Sequence, residues 1–294
     1  MLGVQQDQRL PWQRPRDVLR TLPLKLPGAA LQDLVDSVAK LRVRRNQHKL
    51  WHSLPVRVPE TSPEGRLVAV CLALGYRASV GKPIGIFDSG LGGLTVARAI
   101  RRALPQESLV YLGDTARVPY GTRSARTVVR YAIGCSERLL AHDIKLLVVA
   151  CNTASGVALQ ELRQRLSIPV VGVIEPGARA GIAASQNARI GVLATAGTIA
   201  SGAYERAIHA EDSSVRVFTQ AAPLFVPLAE EGWVSGEVPR LAARRYLQSL
   251  VDSEVDTIVL GCTHYPLLAG VIAEEAQQLI HRDVTVVDSA DATA

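Results

Sequence analysis

Two cysteines occupy matching positions in the two halves of the chain, 111 residues apart. Each follows an apolar stretch that ends in a small residue, and each precedes side chains that form hydrogen bonds: Cys151 before Asn152 and Thr153, and Cys262 before Thr263 and His264. A thiol at the start of a helix is expected to have a lowered pKa, because the helix N-terminus stabilises the thiolate. Two such thiols on opposite sides of one ligand could remove a proton from one face of a carbon atom and return a proton to the other face. The pair therefore predicts a stereochemical inversion at carbon.

Other interpretations apply to cysteines in general. A buried cysteine is most often a small apolar side chain, which is how we interpret Cys71 and Cys135. A disulfide between Cys151 and Cys262 is disfavoured in a reducing compartment. A metal site built on these two and His264 would need a second pair of spaced ligands, which the sequence does not provide. We therefore predict no metal and, because no signature for pyridoxal phosphate is visible, no organic cofactor.

Short apolar strands alternate with helical segments from residue 83 onwards. The predicted strands are 83–87, 109–112, 145–150, 168–173, 189–194, 215–219, 256–260 and 284–287. This alternation predicts an α/β fold of two similar domains, each a mostly parallel sheet flanked by helices. Ligands of such sheets bind beyond the carboxyl ends of the strands, and the predicted strands end in Asp, Ser, Thr, Cys and His residues. We therefore expect an active site in the cleft between the two domains.

The first 82 residues differ from the rest in composition. They carry 14 Lys and Arg against six Asp and Glu, so the net charge of +6 of the whole chain arises there. Seven prolines interrupt them, and residues 31–41 have the apolar spacing of one amphipathic helix. We predict a basic, Pro- and Arg-rich extension over 1–82 that is poorly ordered, a first domain formed by 83–178 plus 284–294, and a second domain over 179–283. A basic arm that binds nucleic acid, a membrane surface or a partner is the alternative interpretation of the extension.

The composition excludes several classes of protein. Apolar residues make up 48% of the chain, which is enough for a buried core and excludes a wholly disordered chain. The longest apolar run, Leu67–Leu74, has eight residues, far fewer than the roughly 20 that a membrane helix needs. No secretory signal opens the chain, and four cysteines in this length do not form a disulfide scaffold. We therefore expect a cytoplasmic protein that does not bind membranes.

Six ordered sequence blocks resemble the glutamate racemases, cofactor-independent enzymes of the aspartate/glutamate racemase superfamily. The blocks are Gly-Ile-Phe-Asp-Ser-Gly-Leu-Gly-Gly-Leu at 85–94, Tyr-Leu-Gly-Asp-Thr-Ala-Arg-Val-Pro-Tyr-Gly at 111–121, Ala-Cys-Asn-Thr-Ala-Ser at 150–155, Val-Ile-Glu-Pro-Gly at 173–177, Ser-Gly-Ala-Tyr at 201–204 and Leu-Gly-Cys-Thr-His-Tyr-Pro at 260–266. The resemblance extends over residues 83–294. Members of that family usually begin near the residue that matches Lys82 and continue beyond 288–290, so we expect the first domain to be truncated at its C-terminal end.

The resemblance also implies roles for individual residues. Cys151 and Cys262 are the two acid/base groups, Asp88 lies near Cys151, His264 lies near Cys262, and Glu175 is a third candidate helper. The residues expected to contact the amino acid are Asp88, Ser89, Tyr120, Gly121, Asn152, Thr153, Thr195, Thr263 and His264. Capping of a helix by Thr195 and Thr198 is left open as an alternative to substrate contact. A loop-capping role for Asp88 and a solvated position for His264 also stay open.

The activity that the resemblance implies is two-base racemisation of L-glutamate and D-glutamate without a cofactor, which supplies D-glutamate for peptidoglycan synthesis. Two bases are needed because one group cannot reach both faces of Cα. A racemase for aspartate or another acidic amino acid is one alternative, but His264 favours glutamate because aspartate enzymes tend to have Glu there. A nonenzymatic protein that binds DNA through the basic arm is the other alternative. Nucleic acid is not an expected partner, because the arm lacks interleaved basic and aromatic residues; a homodimer stays open.

Overall fold

The computed structural model describes residues 60–61, 67–74, 81–280 and 283–294, with the first two segments as backbone strands. These residues form two α/β domains, each built on a mainly parallel sheet with helices on both faces. The predicted fold class is therefore confirmed. The helix predicted over 31–41 lies outside the described residues. Within the described part of the chain, none of the helices has the length and apolar character needed to cross a membrane.

Six strands form the first sheet: β1 (Glu60–Thr61), β2 (Leu67–Leu74), β3 (Ile84–Asp88), β4 (Leu109–Gly113), β5 (Leu146–Val149) and β6 (Val170–Gly172). Their spatial order is β1-β2-β4-β3-β5-β6, with β3 to β6 parallel, β2 antiparallel to β4 and β1 antiparallel to β2. Strands β3 and β4 are buried along their whole length. Continuous apolar strands of this kind are typical of parallel sheets that are covered on both faces.

Three helices cover the first sheet: α1 (Leu94–Ala103), α2 (Ala125–Leu140) and α3 (Asn152–Arg165), and a 3₁₀ turn lies at Tyr120–Thr122. Helices α2 and α3 pack their apolar sides on one face, and α1 packs on the other. Helix α2 begins where the Ser124 hydroxyl accepts a hydrogen bond from the Thr127 N–H, 3.3 Å away, which satisfies one of the free donors of the first turn. The sequence therefore positions this helix by both its apolar spacing and its cap.

The second sheet contains β7 (Arg189–Ala194), β8 (Arg216–Ala221), β9 (Thr257–Gly261) and β10 (Thr285–Asp288), all parallel, in the order β10-β9-β7-β8. The remaining helices are α4 (Ile174–Ala184), α5 (Ala196–Ala200), α6 (Ala203–Glu211), α7 (Phe225–Glu230), α8 (Glu237–Leu247), α9 (Ala269–Ile280) and α10 (Ser289–Thr293), with 3₁₀ segments at Gln248–Ser253 and Tyr265–Leu268. Helices α4 and α6 pack on one face of this sheet, and α7, α8 and α9 pack on the other.

Two domain boundaries differ from those that the sequence predicts. The sequence assigns 284–294 to the first domain, whereas β10 lies beside β9 in the second sheet, with Thr285 opposite Thr257. The prediction is wrong for β10, because α9 joins β9 to β10 as a parallel crossover, which returns the chain to the same sheet. Helix α10 does contact α1 of the first domain. The predicted boundary between 178 and 179 falls inside α4, whose buried Ala178 packs with the second domain.

Strand β2 belongs to the part of the chain that the sequence assigns to a poorly ordered extension. It nevertheless pairs along the edge of the first sheet, with Cys71 opposite Leu112 on β4. The physical reason is the eight-residue run of Leu, Val, Ala and Cys, which is long enough for a strand. The sequence analysis does not predict this strand.

Candidate active site

A small cavity lies where the carboxyl ends of β3, β5, β7 and β9 meet. Its volume is about 20 Å³, which is room for about one water molecule. The first domain contributes Ser89, Tyr120, Gly121, Cys151, Asn152 and Thr153 to its lining, and the second contributes Thr195, Cys262, Thr263 and His264. All ten are residues that the sequence predicts for the site. The hydrophobic wall includes Val118, Pro119 and Val226, which the sequence does not single out.

Cys151 lies directly after β5 and caps the N-terminus of α3. Its Sγ accepts a hydrogen bond from the Ala154 N–H at 3.4 Å, and the residue is only 5% exposed. Burial, together with the negative charge of Asp88, raises the pKa of Cys151 to about 12. Hydrogen bonds from Ser89 and Ala154 act in the opposite direction but do not outweigh these effects. The predicted lowering of this pKa by the helix terminus is therefore wrong, and Cys151 is a neutral thiol at neutral pH.

Asp88 is the last residue of β3 and is fully buried next to the cavity wall. The Gly90 N–H donates to Asp88 Oδ2 at 2.9 Å, and the Thr263 hydroxyl of the second domain donates to Oδ1 at 3.4 Å. Burial raises the pKa of Asp88, although the charge of His264 and the hydrogen bonds act to lower it. The carboxyl group thus both caps the glycine loop and joins the two domains beside Cys151.

Cys262 has a different set of neighbours. The His264 Nδ1 lies 3.8 Å from Cys262 Sγ, and the His264 Nε2 lies 3.2 Å from the Glu230 carboxylate at the end of α7. Burial acts to lower the pKa of His264, but the hydrogen bonds to Cys262 and Glu230 outweigh it and raise the pKa to about 10. His264 is therefore an imidazolium at neutral pH, held between a thiol and a carboxylate.

Glu230 is a candidate functional residue that the sequence analysis misses. It precedes a second glutamate, Glu231, at the end of a short helix, and such acidic pairs are common on protein surfaces. Its side chain is 42% exposed, so burial alone does not mark it out. No local pattern in the sequence indicates that it reaches His264, which is 34 residues away.

Gly92 allows the two domains to approach each other at His264. A Cβ atom at this position would lie 2.5 Å from His264 Nδ1 and 2.6 Å from Thr263 Oγ1, which is too close for any side chain. The neighbouring Thr95 hydroxyl donates to the Thr263 carbonyl at 3.1 Å. The glycine loop after β3 therefore contributes to the site because its backbone packs closely against Thr263 and His264.

Three threonine hydroxyls form a closed ring of hydrogen bonds across the domain boundary. Thr153 lies 2.9 Å from Thr195 and 3.0 Å from Thr198, and Thr195 lies 2.9 Å from Thr198. The Thr195 hydroxyl also accepts from the Thr198 N–H at 3.3 Å, as a helix cap does. Thr195 thus caps α5, which is one of the roles that the sequence leaves open, and it also lines the cavity.

Tyr120 lines the cavity, but its hydroxyl points to another partner. The hydroxyl donates to the buried carboxylate of Asp114, which also accepts a 2.6 Å ion pair from Arg117. Burial raises the pKa of Tyr120, and the negative charge of Asp114 reinforces this effect. The phenol is therefore a neutral donor that fixes the loop after β4, so the contribution of Tyr120 to the cavity is its ring and backbone.

Glu175 does not join this group, which corrects its assignment as a catalytic helper. Both of its carboxylate oxygens accept hydrogen bonds from Arg163, each at 3.1 Å, and its side chain is 47% exposed. The hydrogen bonds from Arg163 lower the pKa of Glu175. It lines a separate groove between α3, α4 and α6. Glu175 does not reach the cavity because it lies in the first turn of α4, where its side chain faces the other way.

Three of the cysteines, Cys135, Cys151 and Cys262, are unpaired thiols. Among the residues that the structure describes, no group of three or more His, Cys, Asp or Glu side chains is arranged to hold a metal ion. The site thus offers two thiols, one carboxyl group, one imidazolium, an amide and several hydroxyls. Such a set can hold an anionic ligand with an ammonium group and can move protons at its centre.

Comparison with known proteins identifies the relatives of this chain. A family model described as Asp/Glu/Hydantoin racemase matches residues 91–294. A glutamate racemase of Geobacter metallireducens is 60% identical over 213 residues, which are 72% of this chain and 77% of that protein. Among solved structures, a glutamate racemase isoform from Bacillus anthracis has a TM-score of 0.67 at 42% identity and covers 72% of this chain and 78% of that one. The glutamate racemase of Francisella tularensis in complex with D-glutamate has a TM-score of 0.67 at 36% identity, with the same coverage of 72% and 78%.

The matched segment contains Cys151, Cys262, His264 and the three hydrogen-bonded threonines. The likeness therefore extends over nearly the whole cavity. Among the polar residues at the cavity, Asp88 and Ser89 precede the segment that the family model matches, and the glutamate racemase of Geobacter metallireducens aligns over 72% of the chain. The chain belongs to the Asp/Glu/Hydantoin racemase family.

Proposed function

We propose that this protein interconverts L-glutamate and D-glutamate, with Cys151 and Cys262 as its two acid/base groups and without a cofactor. The observation that carries the proposal is the shared cavity, which the two thiols reach from different domains. The glutamate racemases that are similar to this chain support glutamate as the substrate.

The charges beside the two thiols support different starting roles. Cys262 lies beside the His264 imidazolium, and we assign it the role of the base that accepts the Cα proton in one direction of the reaction. Cys151 is a neutral thiol, since its pKa is about 12, and it delivers a proton to the opposite face of Cα. The reverse reaction exchanges these roles. By resemblance to the family, L-glutamate is the enantiomer that gives its proton to Cys262.

The remaining side chains suit the binding of glutamate. The hydroxyls of Ser89, Thr153, Thr195 and Thr263 and the amide of Asn152 are donors for the two carboxylates. The Asp88 carboxyl group suits the ammonium. Because the Cα proton is only weakly acidic, the site has to stabilise a carbanion-like transition state with placed donors and by excluding water. A cavity lined almost wholly by buried residues meets the second requirement.

Glutamate is far larger than the cavity of about 20 Å³. Its entry therefore requires the two domains to move apart, which opens the contacts of Thr153 with Thr195 and of Asp88 with Thr263. Closure around the substrate then restores the exclusion of water.

We further propose that D-glutamate made here is used in peptidoglycan synthesis, that the protein works in the cytoplasm, and that it forms a homodimer. Free thiols at the centre of the site suit a reducing compartment. Light scattering of the purified protein tests whether it is a dimer. The cellular role is tested by deleting the gene in a strain without another source of D-glutamate, which should then require this amino acid for growth. Growth of that strain without D-glutamate would contradict the cellular role.

The direct test follows the circular dichroism of L-glutamate after addition of purified protein, with no cofactor and in the presence of EDTA. We expect the circular dichroism of L-glutamate to decay to the value of the racemate. A reaction that starts from D-glutamate should reach the same end point. Parallel reactions with L-aspartate test the alternative substrate. Activity that EDTA abolishes and added metal restores, or turnover of aspartate alone, would contradict the proposal.

A further inference from the structure

Tyr204 lies between the two halves of the candidate site. It is near the start of α6, in the second domain, and is 2% exposed. It ends the block at 201–204, to which the resemblance assigns no role. The cavity itself does not include Tyr204 in its lining. Its position behind the lining makes it a candidate for holding other residues in place.

The hydroxyl of Tyr204 holds one end of the Asn152 amide. It donates to Asn152 Oδ1 at 2.7 Å, while Asn152 Nδ2 donates to the Ser289 hydroxyl at 3.3 Å. Asn152 directly follows Cys151, lines the cavity and is itself 2% exposed. The carbonyl and one N–H of this amide are thereby occupied by two fixed partners. The second N–H of Nδ2 has no partner among the described residues, and it is the donor left for a ligand.

The ring of Tyr204 packs against the backbone that leads into Cys262. A Cβ atom at Gly261 would lie 2.8 Å from Tyr204 Cε2, and a Cβ atom at Gly177 would lie 3.1 Å from the Tyr204 hydroxyl. Position 261 therefore has to be glycine for the ring to fit, whereas a Cβ atom at position 177 would make a tight contact with the hydroxyl. One side chain thus contacts the residue before Cys262 with its ring and the residue after Cys151 with its hydroxyl.

A buried phenol suits this role because it stays neutral. Burial raises the pKa of Tyr204, so the hydroxyl is a neutral donor at neutral pH. A neutral donor determines which end of the Asn152 amide it contacts, since the carbonyl accepts and the NH₂ group does not.

We propose that Tyr204, together with Ser289, is a positioning residue that fixes the Asn152 amide with an N–H available to a carboxylate of glutamate. In Tyr204→Phe the amide can turn over and present its carbonyl, which repels the carboxylate. The proposal rests on the proposed function through the role of Asn152 in binding glutamate. Binding of glutamate is measured separately from turnover, so the two can fail independently.

The first test compares Tyr204→Phe with Tyr246→Phe, a matched loss of one tyrosine hydroxyl. The Tyr246 hydroxyl accepts from the Leu224 N–H at 3.1 Å, outside the cavity. For Tyr204→Phe we expect KM for both enantiomers to rise about 3- to 10-fold, with kcat changed by less than about twofold, because a hydrogen bond that orients a binding group is lost. Tyr246→Phe should leave both constants unchanged. A fall in thermal stability of Tyr204→Phe with unchanged KM would overturn the proposal and leave a merely structural role.

The second test is a double-mutant cycle with Asn152→Ala, read by titration calorimetry with D-glutamate as the probe. If Tyr204 acts through Asn152, Tyr204→Phe should weaken binding in the parent but have almost no further effect in the Asn152→Ala background. Equal effects in both backgrounds would overturn the proposal. Calorimetry gives this answer even if the Asn152 variant is inactive. A parent protein that binds glutamate but does not racemise it would contradict the proposed function and leave the cycle valid.

Discussion

The two cysteines have the same backbone setting but opposite electrostatic surroundings. Each follows a parallel strand of its domain and lies at one cavity. Cys151 is beside the buried carboxyl group of Asp88, whereas Cys262 is beside the His264 imidazolium, which Glu230 supports. The repeated fold sets where the thiols lie, while neighbours from other elements place a carboxyl group beside one thiol and an imidazolium beside the other.

The largest effect is expected from removing either thiol. Cys151→Ser and Cys262→Ser should each reduce racemisation by roughly 10³-fold or more, since a serine hydroxyl cannot replace a thiolate as a base at neutral pH. Each variant should still exchange the α-hydrogen of one enantiomer with D₂O through its remaining thiol, and NMR measures this exchange. Cys262→Ser should retain exchange of D-glutamate, and Cys151→Ser that of L-glutamate.

Two results would contradict the assignment of Cys151 and Cys262 as the two bases. Racemisation near the parental rate in either variant would exclude the two-base scheme. Exchange of both enantiomers by a single variant would indicate one base and a substrate that turns within the site. Cys135→Ser is the matched control, because Cys135 is a buried thiol in the core of the first domain that does not itself line the cavity.

The next effect concerns the positive charge beside Cys262. His264→Gln should lower kcat/KM about 100-fold in both directions, because the interconversion of enantiomers has an equilibrium constant of one and ties the two directions together. Glu230→Gln, which keeps the shape but removes the charge that supports His264, should lower it about 3- to 10-fold. Equal effects of the two substitutions would contradict this order and would show that His264 contributes only when it is paired with Glu230.

The pH dependence of the free energy of unfolding tests the positive charge on His264 beside Cys262. His264 has a pKa of about 10 in the folded protein, above the value of about 6.5 for an unfolded histidine, so its protonated form stabilises the fold. This contribution is complete below about pH 6.5 and is lost as the pH rises through about 10. The free energy of unfolding in urea should therefore differ most between the parent and His264→Gln near pH 6. The difference should shrink towards pH 10, and a difference that grows with pH would contradict the assignment.

The smallest effect is expected at Glu175, which is outside the site. Glu175→Gln breaks an exposed ion pair with Arg163, and such pairs contribute about 0–1 kcal/mol. We expect kcat and KM to change by less than about twofold and the thermal midpoint to fall only slightly. A large loss of kcat would restore Glu175 as a participant and would add a third charged group to the comparison.

The sequence predicts the fold and most of the cavity because both depend on short-range patterns. Alternating apolar strands and helices specify the sheets, and polar residues that directly follow strands reach the same sheet edge. This logic locates Cys151, Thr195 and Cys262 without any knowledge of tertiary contacts. Glu175 also follows a strand, but it is one residue into a helix, where each step rotates a side chain by about 100°. Proximity in sequence therefore did not bring it to the cavity.

Two of the residues that the sequence does not reveal act across long separations. Glu230 reaches His264 from another helix, and Tyr204 reaches Asn152 from the other domain. The pKa of Cys151 is a further example, because a helix N-terminus lowers a thiol pKa only where burial and a neighbouring carboxylate do not oppose it. Such effects arise from the packing of the two domains and have no signature in a single sequence.

Strand β2 has a consequence for the solubility of the protein. It covers the side of β4 that would otherwise present a row of unpaired N–H and C=O groups, a template on which another chain can pair and aggregate. The edge of β4 is thus covered by a strand from the same chain, which lies in the basic, Pro- and Arg-rich segment over 1–82. Removal of β2 would leave the cavity residues in place and would expose this edge of β4, so we expect aggregation, rather than a loss of catalysis, as its first effect.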